Sequence, residues 1–422
     1  LKASDEAFFK KSISICYALY LAKLQRLNID NMCQTDIFHH ITDEHIANFM
    51  KLNLQDIPKD LLRNLVHWDI EDLEGYLLYS TNEYDGRYGA ENITPESINR
   101  LAVSIFDIQD GEEVLDVCSG VGSFIREAYA NNKKAKYYGV EVNADSYSIS
   151  KIRANILKGN INLKQGNVLE DNFFDKKFDK AFANYPFGMR LRELNSSRNI
   201  IERAKQDGLD LSGGSSADWL FHYSLMKSIK ENGRALAITT QGSLWNTMDK
   251  HIREYFIKKN IIKAVISLPE KMFSFTPIPV TAIVFEKNDG PIMMIDAREE
   301  YVLGRRQNTL SQENINKIVS SFANESKISK LVKVNKILEN DFVLSPSRYF
   351  DEIPEIKDGV ALSSVIKNIT RGASLTAKQL DALVSNEPTS FQYVMLSNIQ
   401  DGALDVDNLP YLERIEDKHI KY

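Results

Sequence analysis

The sequence predicts an α/β fold: a mostly parallel sheet with helices on both faces, a helical segment before it and a partial domain of short strands after it. Three observations predict this. Between Thr94 and about Asn288, apolar runs of strand length alternate with helical patterns, as successive βα units require. Upstream, residues 1–88 carry apolar residues at three- and four-residue spacing, the period of helices. Downstream of Phe350 the pattern breaks into short runs and turns. The expected domains are therefore 1–88 (helical), 89–290 (the α/β core), 291–352 (a connecting region completing that core) and 353–422 (a partial domain), consistent with a length of 422 residues, too long for one ordinary domain.

In chain order, Phe8, Phe9, Ser12, Ile13, Cys16, Leu19, Tyr20 and Leu24 predict a helix over 5–27. Further helices are predicted over 44–53 and 59–80, the last with Pro58 near its start. The turn-rich stretch 81–92 reads as a boundary. Thr94-Pro95 then resembles a helix start, with Thr94 as cap. Strands are expected at 113–117, 137–142, 162–165, 178–183, 235–239, 261–267 and 280–286, and helices at 123–131, 145–158, 217–231, 248–259 and 311–324. Residues 189–216, rich in Arg, Asn, Ser and Gly, show little periodicity and read as a functional loop. The tail 360–422 reads as short strands and turns, marked by Gly372, Tyr393–Ser397 and Asp401-Gly402. It stops before such a domain would be complete, so a fragment is expected, and a start at Leu1 points the same way.

The net charge of −6 leaves nucleic-acid binding to local basic patches rather than bulk charge. Arg190, Arg192, Arg198, Arg203 and Lys205 form one such patch; Lys258, Lys259 and Lys263 form a second, and Arg305-Arg306 a third. Cys16, Cys33 and Cys118 are widely spaced and suit a reducing, cytoplasmic compartment. With His39-His40 the one near histidine pair, no metal site is expected. No uncharged apolar stretch has the length of a membrane helix, and residues 1–30 lack a signal-peptide pattern.

The chemistry lies at strand ends. Glu113–Val117 runs into Asp116-x-x-x-Gly120-x-Gly122 and then a helix, so backbone amides can approach a ligand closely. A glycine turn alone fits a dinucleotide as well as a methyl donor. The Asp discriminates, because a carboxylate repels a pyrophosphate and attracts a sulfonium or ammonium. Glu141, ending the second strand, suits the hydroxyls of a ribose, and Asn167, after the third, suits an adenine edge. The fourth strand ends in Asn184-Tyr185-Pro186-Phe187-Gly188, a stiff tip that offers an amide and a stacking face to a planar base. The combined ligand is a nucleoside with a cationic substituent beside a base-sized clamp.

These motifs resemble those of the amino-group DNA methyltransferases that use S-adenosylmethionine, and most nearly the modification subunit of type I restriction-modification systems. That family carries Asp-Pro-Ala-Cys-Gly-Ser-Gly-Gly-Phe, matched by Asp116 to Phe124; Gly-Ile-Glu-Ile, matched by Gly139 to Val142; and Asn-Pro-Pro-Phe-Gly, matched by Asn184 to Gly188. Similar stretches occur at Ser216–Phe221, Ile252–Glu254, Leu268–Phe273 and Leu344–Tyr349. The likeness, covering about 90–422, implies a Rossmann-like methyltransferase sheet and adenine-N6 transfer to a flipped base in duplex DNA. Asn184, Tyr185, Pro186 and Phe187 would be catalytic. Thr94, Asp116, Gly120, Gly122, Glu141 and Asn167 would hold the donor, while Phe273, Arg190 and Arg192 would touch the base or DNA. It also implies a partner specificity or restriction subunit, action in the bacterial cytoplasm, and the start of a specificity-like recognition domain at 353–422. Tyr185 stands where the family has its first proline, and Asn167 where it has Asp. The alternatives are a DNA-binding or assembly subunit weakened by those two changes, and a methyltransferase acting on RNA or a protein glutamine amide.

Overall fold

The computed structural model describes residues 5–27, 38–54, 66–80, 93–170, 174, 176–191, 198–211, 216–274, 276–350, 359–369, 375, 377–400 and 403–415. The expected boundary at 81–92, Arg192, Gly372 and the Asp401-Gly402 turn lie outside them. Two compact units divide the chain, Leu1–Glu352 and Ile353–Tyr422.

The first unit is built on a nine-stranded sheet in the order β3-β2-β1-β4-β5-β7-β6-β8-β9. Its strands are β1 (Glu113–Asp116), β2 (Lys136–Glu141), β3 (Ile161–Gln165), β4 (Phe178–Asn184), β5 (Ile229–Thr240), β6 (Ile262–Ser267), β7 (Val280–Phe285), β8 (Ile292–Asp296) and β9 (Ser329–Val332). β1 to β5 are parallel, and β7 runs antiparallel between β5 and β6. β8 and β9 extend the sheet past the seven expected strands. Ile292-Met-Met-Ile295 is a weak strand signal because unbranched methionine carries little β-preference, yet all four residues are buried.

Helices α1 (Asp5–Leu24), α2 (Glu44–Asn53), α3 (Ile70–Tyr79), α4 (Glu96–Phe106), α5 (Ser123–Asn131) and α6 (Ala144–Leu157) precede β3. α7 (Arg198–Gln206) and α8 (Asp218–Ser228) lie between β4 and β5, and α9 (Lys250–Lys258) between β5 and β6. Phe9, Ile13, Phe49, Leu73 and Leu77 of the first three helices share one apolar cluster with Ile149, Ile152 and Ile156 of α6. Buried Arg153 of α6 reinforces that contact: it donates to the Leu77 and Ser80 carbonyls and to the Val121 carbonyl in the glycine turn.

Residues 189–216 correct the expectation of an aperiodic loop, since they contain α7. Ala204, Leu209 and Leu211 are buried there, and an Arg190–Ser216 bridge closes the segment at its base. So few apolar positions among nine mostly polar residues left the helical period unreadable. Lys258 and Lys259 precede β6 and therefore sit at the amino edge of the sheet, opposite the strand ends considered below.

Side-chain alternation along β4 places the site. Ala181, Ala183 and Tyr185 join the cluster beneath α8, whereas Phe182 and Phe187 belong to the cluster on the α4 and α5 face. Successive residues point to opposite faces of a sheet, so Asn184 turns towards α4 and Tyr185 towards α8.

In the second unit, Val384–Ser385 and Phe391–Gln392 each pair with Tyr411–Leu412, and Ile399–Gln400 pairs with Ala403–Leu404, all antiparallel. The strand expected at Tyr393–Ser397 is absent: Leu396–Asn398 is one 3-10 turn.

Candidate active site

Asp116, Glu141 and Asn184 end three neighbouring strands, β1, β2 and β4. Register aligns them, with Asp116 opposite Gly139 of β2 and Phe182 of β4. All three carboxyl ends open on one edge of the sheet, where ligands of open α/β folds bind.

The glycine turn takes the backbone form its sequence calls for. Gly120 and Gly122 have φ of 51° and 81°, in the left-handed region that favours glycine. A Cβ on Gly122 would meet Ser150 Oγ of α6 at 2.8 Å, so the turn fits tightly against that helix. Glu141 braces it from the other side. Its Oε2 accepts from the Gly120 amide at 2.7 Å and its Oε1 from the Asn143 amide at 2.7 Å. A carboxylate has about four lone-pair directions, so these two bonds leave acceptors to spare. Asn143 in turn caps α6 by accepting from the Asp145 and Ser146 amides.

Asp116 is 2% exposed, and its Oδ1 accepts from the Cys118 amide at 3.3 Å. Burial, partly offset by that bond and reinforced by Glu141, pushes its carboxyl up to about 8. Burial likewise raises Glu141. Asn167 folds into a local turn: its Oδ1 accepts from the Leu169 amide and its Nδ2 donates to Glu170 Oε1 at 2.9 Å.

At β4 the picture changes. The Asn184 side chain is buried, and its Nδ2 donates to Thr94 Oγ1 at 2.9 Å. This corrects the reading of Thr94 as a helix cap: Pro95 occupies the cap position of α4 and no side chain caps it. Asn184 Oδ1 has no hydrogen-bond partner among the described residues. Pro186 is exposed, and Phe187 is half-buried with Phe273 edge-on to its ring at 5.2 Å. Phe273 is buried, so it backs Phe187. Arg190 is exposed just beyond the tip.

Tyr185 turns into the core. Its ring stacks on Phe221 at 4.6 Å, 7° from parallel, and its hydroxyl lies 2.6 Å from His222 Nε2. Nothing in the sequence singled out His222. The available signal was a phenol in a position that buries its ring, because a buried Tyr hydroxyl usually finds a partner.

The other stretches that resemble the family are braces. Asp218 Oδ2 accepts from Thr239 and Thr240 at the end of β5. Arg253 donates to the Phe342, Ser243 and Asn246 carbonyls. A cavity of about 450 Å³ on the α8 face, lined by Leu115, Val140, Phe174, Arg203 and Tyr223, does not reach Asp116 or Asn184. Among the described residues, no cluster of His, Cys, Asp or Glu could hold a metal, and no helix is long and apolar enough to cross a membrane.

Residues 69–358 match the family model described as N-6 DNA methylase. The type I restriction enzyme MpnII methylase subunit of Mycoplasma pneumoniae is 27% identical over 365 residues, which are 79% of this chain and 63% of that protein. The MjaIX methylase subunit of Methanocaldococcus jannaschii is 27% identical over 305 residues, 65% of this chain and 54% of that protein. The chain thus spans between half and two thirds of the length of these curated relatives. Its fold matches a type I restriction-modification methyltransferase subunit from Streptococcus thermophilus with a TM-score of 0.66, at 21% identity over 79% of each chain. With a family match that runs through the whole nine-stranded sheet, from before the glycine turn to beyond β9, this chain belongs to the N-6 DNA methylase family.

Proposed function

We propose that the chain transfers a methyl group from S-adenosylmethionine to the 6-amino group of a flipped adenine in duplex DNA. The observation that carries this reading is Asn184 Oδ1, a buried acceptor left without a partner while the same amide is held by Thr94. Leaving such an atom unpaired costs about 1–3 kcal/mol, a cost offset when an incoming amine donates to it. The backbone carbonyl of Tyr185 supplies a second acceptor. Two bonds to the amine draw its lone pair out of conjugation with the ring and towards the methyl carbon.

The donor fits the residues present. Asp116 lies where a cationic group would balance its buried carboxylate, Glu141 keeps lone pairs for ribose hydroxyls, and the Gly120 and Gly122 turn lets the backbone approach. Asn167 would read the donor's adenine, and Thr94, bonded to Asn184, would touch the donor's methionine end. The donor supplies a methyl group already activated by the positive sulfur, so this chain's residues have only to align amine and methyl. The amine nitrogen gains the methyl carbon as that carbon's bond to sulfur breaks, sulfur leaving as a neutral thioether, and the nitrogen then gives up its proton to water. An adenine inside a duplex is out of reach, so the base must be extruded, with Phe187 as its stacking face and Phe273 behind it. Arg190 and Arg192 would contact phosphates, which makes affinity salt-dependent. Residues 353–422 would begin a recognition domain, and a specificity or restriction subunit is the expected partner.

The test is a competition in which labelled donor is offered duplex DNA, RNA and glutamine-containing peptide together. The reading requires label on N6 of adenine in the duplex. Label on RNA or peptide instead would overturn it.

A further inference from the structure

The side chain of Tyr185 is buried on the face of the sheet opposite Asn184, although the residue occupies the tip that meets the methyl acceptor. A proline at this position would fix its own φ through its ring. Pro186 biases Tyr185 towards extended backbone but leaves its φ unlocked, so the burial of its side chain is the further restraint that holds its carbonyl in place. Here the ring lies flat on Phe221, and the hydroxyl reaches His222 Nε2 at 2.6 Å. His222 is itself clamped: Trp219 stands edge-on to it at 4.9 Å and Phe285 packs at 5.3 Å. Its accessible surface is zero.

We infer that Phe221 and His222 of α8 are positioning residues that take over the role of a tip proline, aiming the Tyr185 carbonyl at the acceptor amine. The inference rests on the reading of Asn184 and Tyr185 given above. The hydrogen bond joins two uncharged groups. Burial lowers His222 to about 3 and raises the Tyr185 phenol. The imidazole is therefore neutral at ordinary pH and the phenol keeps its proton, so the pair is joined by one neutral hydrogen bond. A shift of about 1 Å at a reacting group can cost on the order of a hundredfold in rate, so a loosened ring is felt at the carbonyl even though neither side chain touches substrate.

The experiment compares His222→Phe in two backgrounds, the natural chain and Tyr185→Pro. Two quantities are measured: turnover on duplex DNA with saturating donor, and amide hydrogen exchange of the tip peptide spanning residues 184–190. In the natural background the substitution is expected to lower kcat at least tenfold, leave the donor Kd within twofold and speed exchange at the tip. In the proline background both effects are expected to shrink below twofold. Equal losses in the two backgrounds would make His222 merely a core residue and overturn the inference, as would no loss in the natural one. If Tyr185→Pro fails to fold, Tyr185→Phe takes its place, and the losses from Tyr185→Phe and His222→Phe should then not add. Exchange decides the inference even if no adenine is methylated, an outcome that would count against the functional reading alone.

Discussion

At the carboxyl ends of β1 to β3, the polar side chains are occupied by the protein itself, whereas at the end of β4 a buried acceptor is left open. Glu141 accepts on both oxygens, Asn167 is engaged on both ends of its amide, and Asp116 takes the Cys118 amide. Asn184 is held at its nitrogen and open at its oxygen. The difference fits the two tasks proposed above for these strand ends. A donor pocket has to exist before the donor arrives, so its turn is stapled shut by internal bonds. An acceptor site gains rate only from bonds made to the reacting amine, and an unpaired acceptor in a water-excluded place makes that bond strong.

Asn184→Ala breaks the contrast most severely. Turnover should fall by about 10²–10³, the loss typical of removing one aligned hydrogen-bonding group in a transition state. Donor affinity by calorimetry should stay within twofold, and thermal stability should change little, because loss of the unpaired oxygen offsets loss of the bond to Thr94. A large loss of donor binding would mean that the two halves are not separate. Gly122→Ala attacks the other half. Its φ of 81° and the 2.8 Å approach to Ser150 Oγ both oppose a side chain, so the substitution should cost about 2 kcal/mol. If that strain is relieved by opening the turn, donor affinity falls about thirtyfold, while a variant with unchanged affinity and stability would show that the turn is not braced.

The halves also differ in how far the sequence revealed them. The glycine turn, Glu141 and the strand tip are local patterns, and the apolar patterns of β1 to β7 stand out for the same reason. Contacts made across the fold do not. Thr94 beside Pro95 reads as a cap because capping is the local use of that pair. Its bond to Asn184 spans 90 residues and follows only from the alternation of β4. The Tyr185–His222 bond spans 37 residues and is equally silent in sequence. Helix α7 and strands β8 and β9 escaped notice because the polar residues of α7, the methionines of β8 and the Ser329-Lys330 start of β9 carry weak period and propensity.

Asp116 gives the donor half a pH signature. Its carboxyl is raised to about 8 by burial, above its unfolded value, so its contribution to stability is complete below about pH 4 and is lost as pH rises through 8. A cationic donor favours the ionised form, so binding must release the proton. The donor Kd should therefore fall about tenfold per unit between pH 6 and 8. Asp116→Asn should abolish that slope, and a natural chain with a flat Kd over this range would remove Asp116 from the donor's charge balance.

The smallest expected effect concerns Asn167, where the family carries Asp. Simple reversion predicts tighter donor binding, but the structure opposes it. Asn167 Nδ2 donates to Glu170 Oε1, and a carboxylate in its place would lose that bond and face a like charge. Both groups are near the surface, so water softens the repulsion, and the net change should stay below about 1 kcal/mol. Asn167→Asp alone should leave donor affinity level or slightly weaker. Adding Glu170→Gln restores a donor to the pair and should raise affinity above that of the natural chain by about threefold. If Asn167→Asp alone tightens binding to the same extent, the Glu170 contact does not shape the pocket, and the self-satisfied character of the donor half ends at β2.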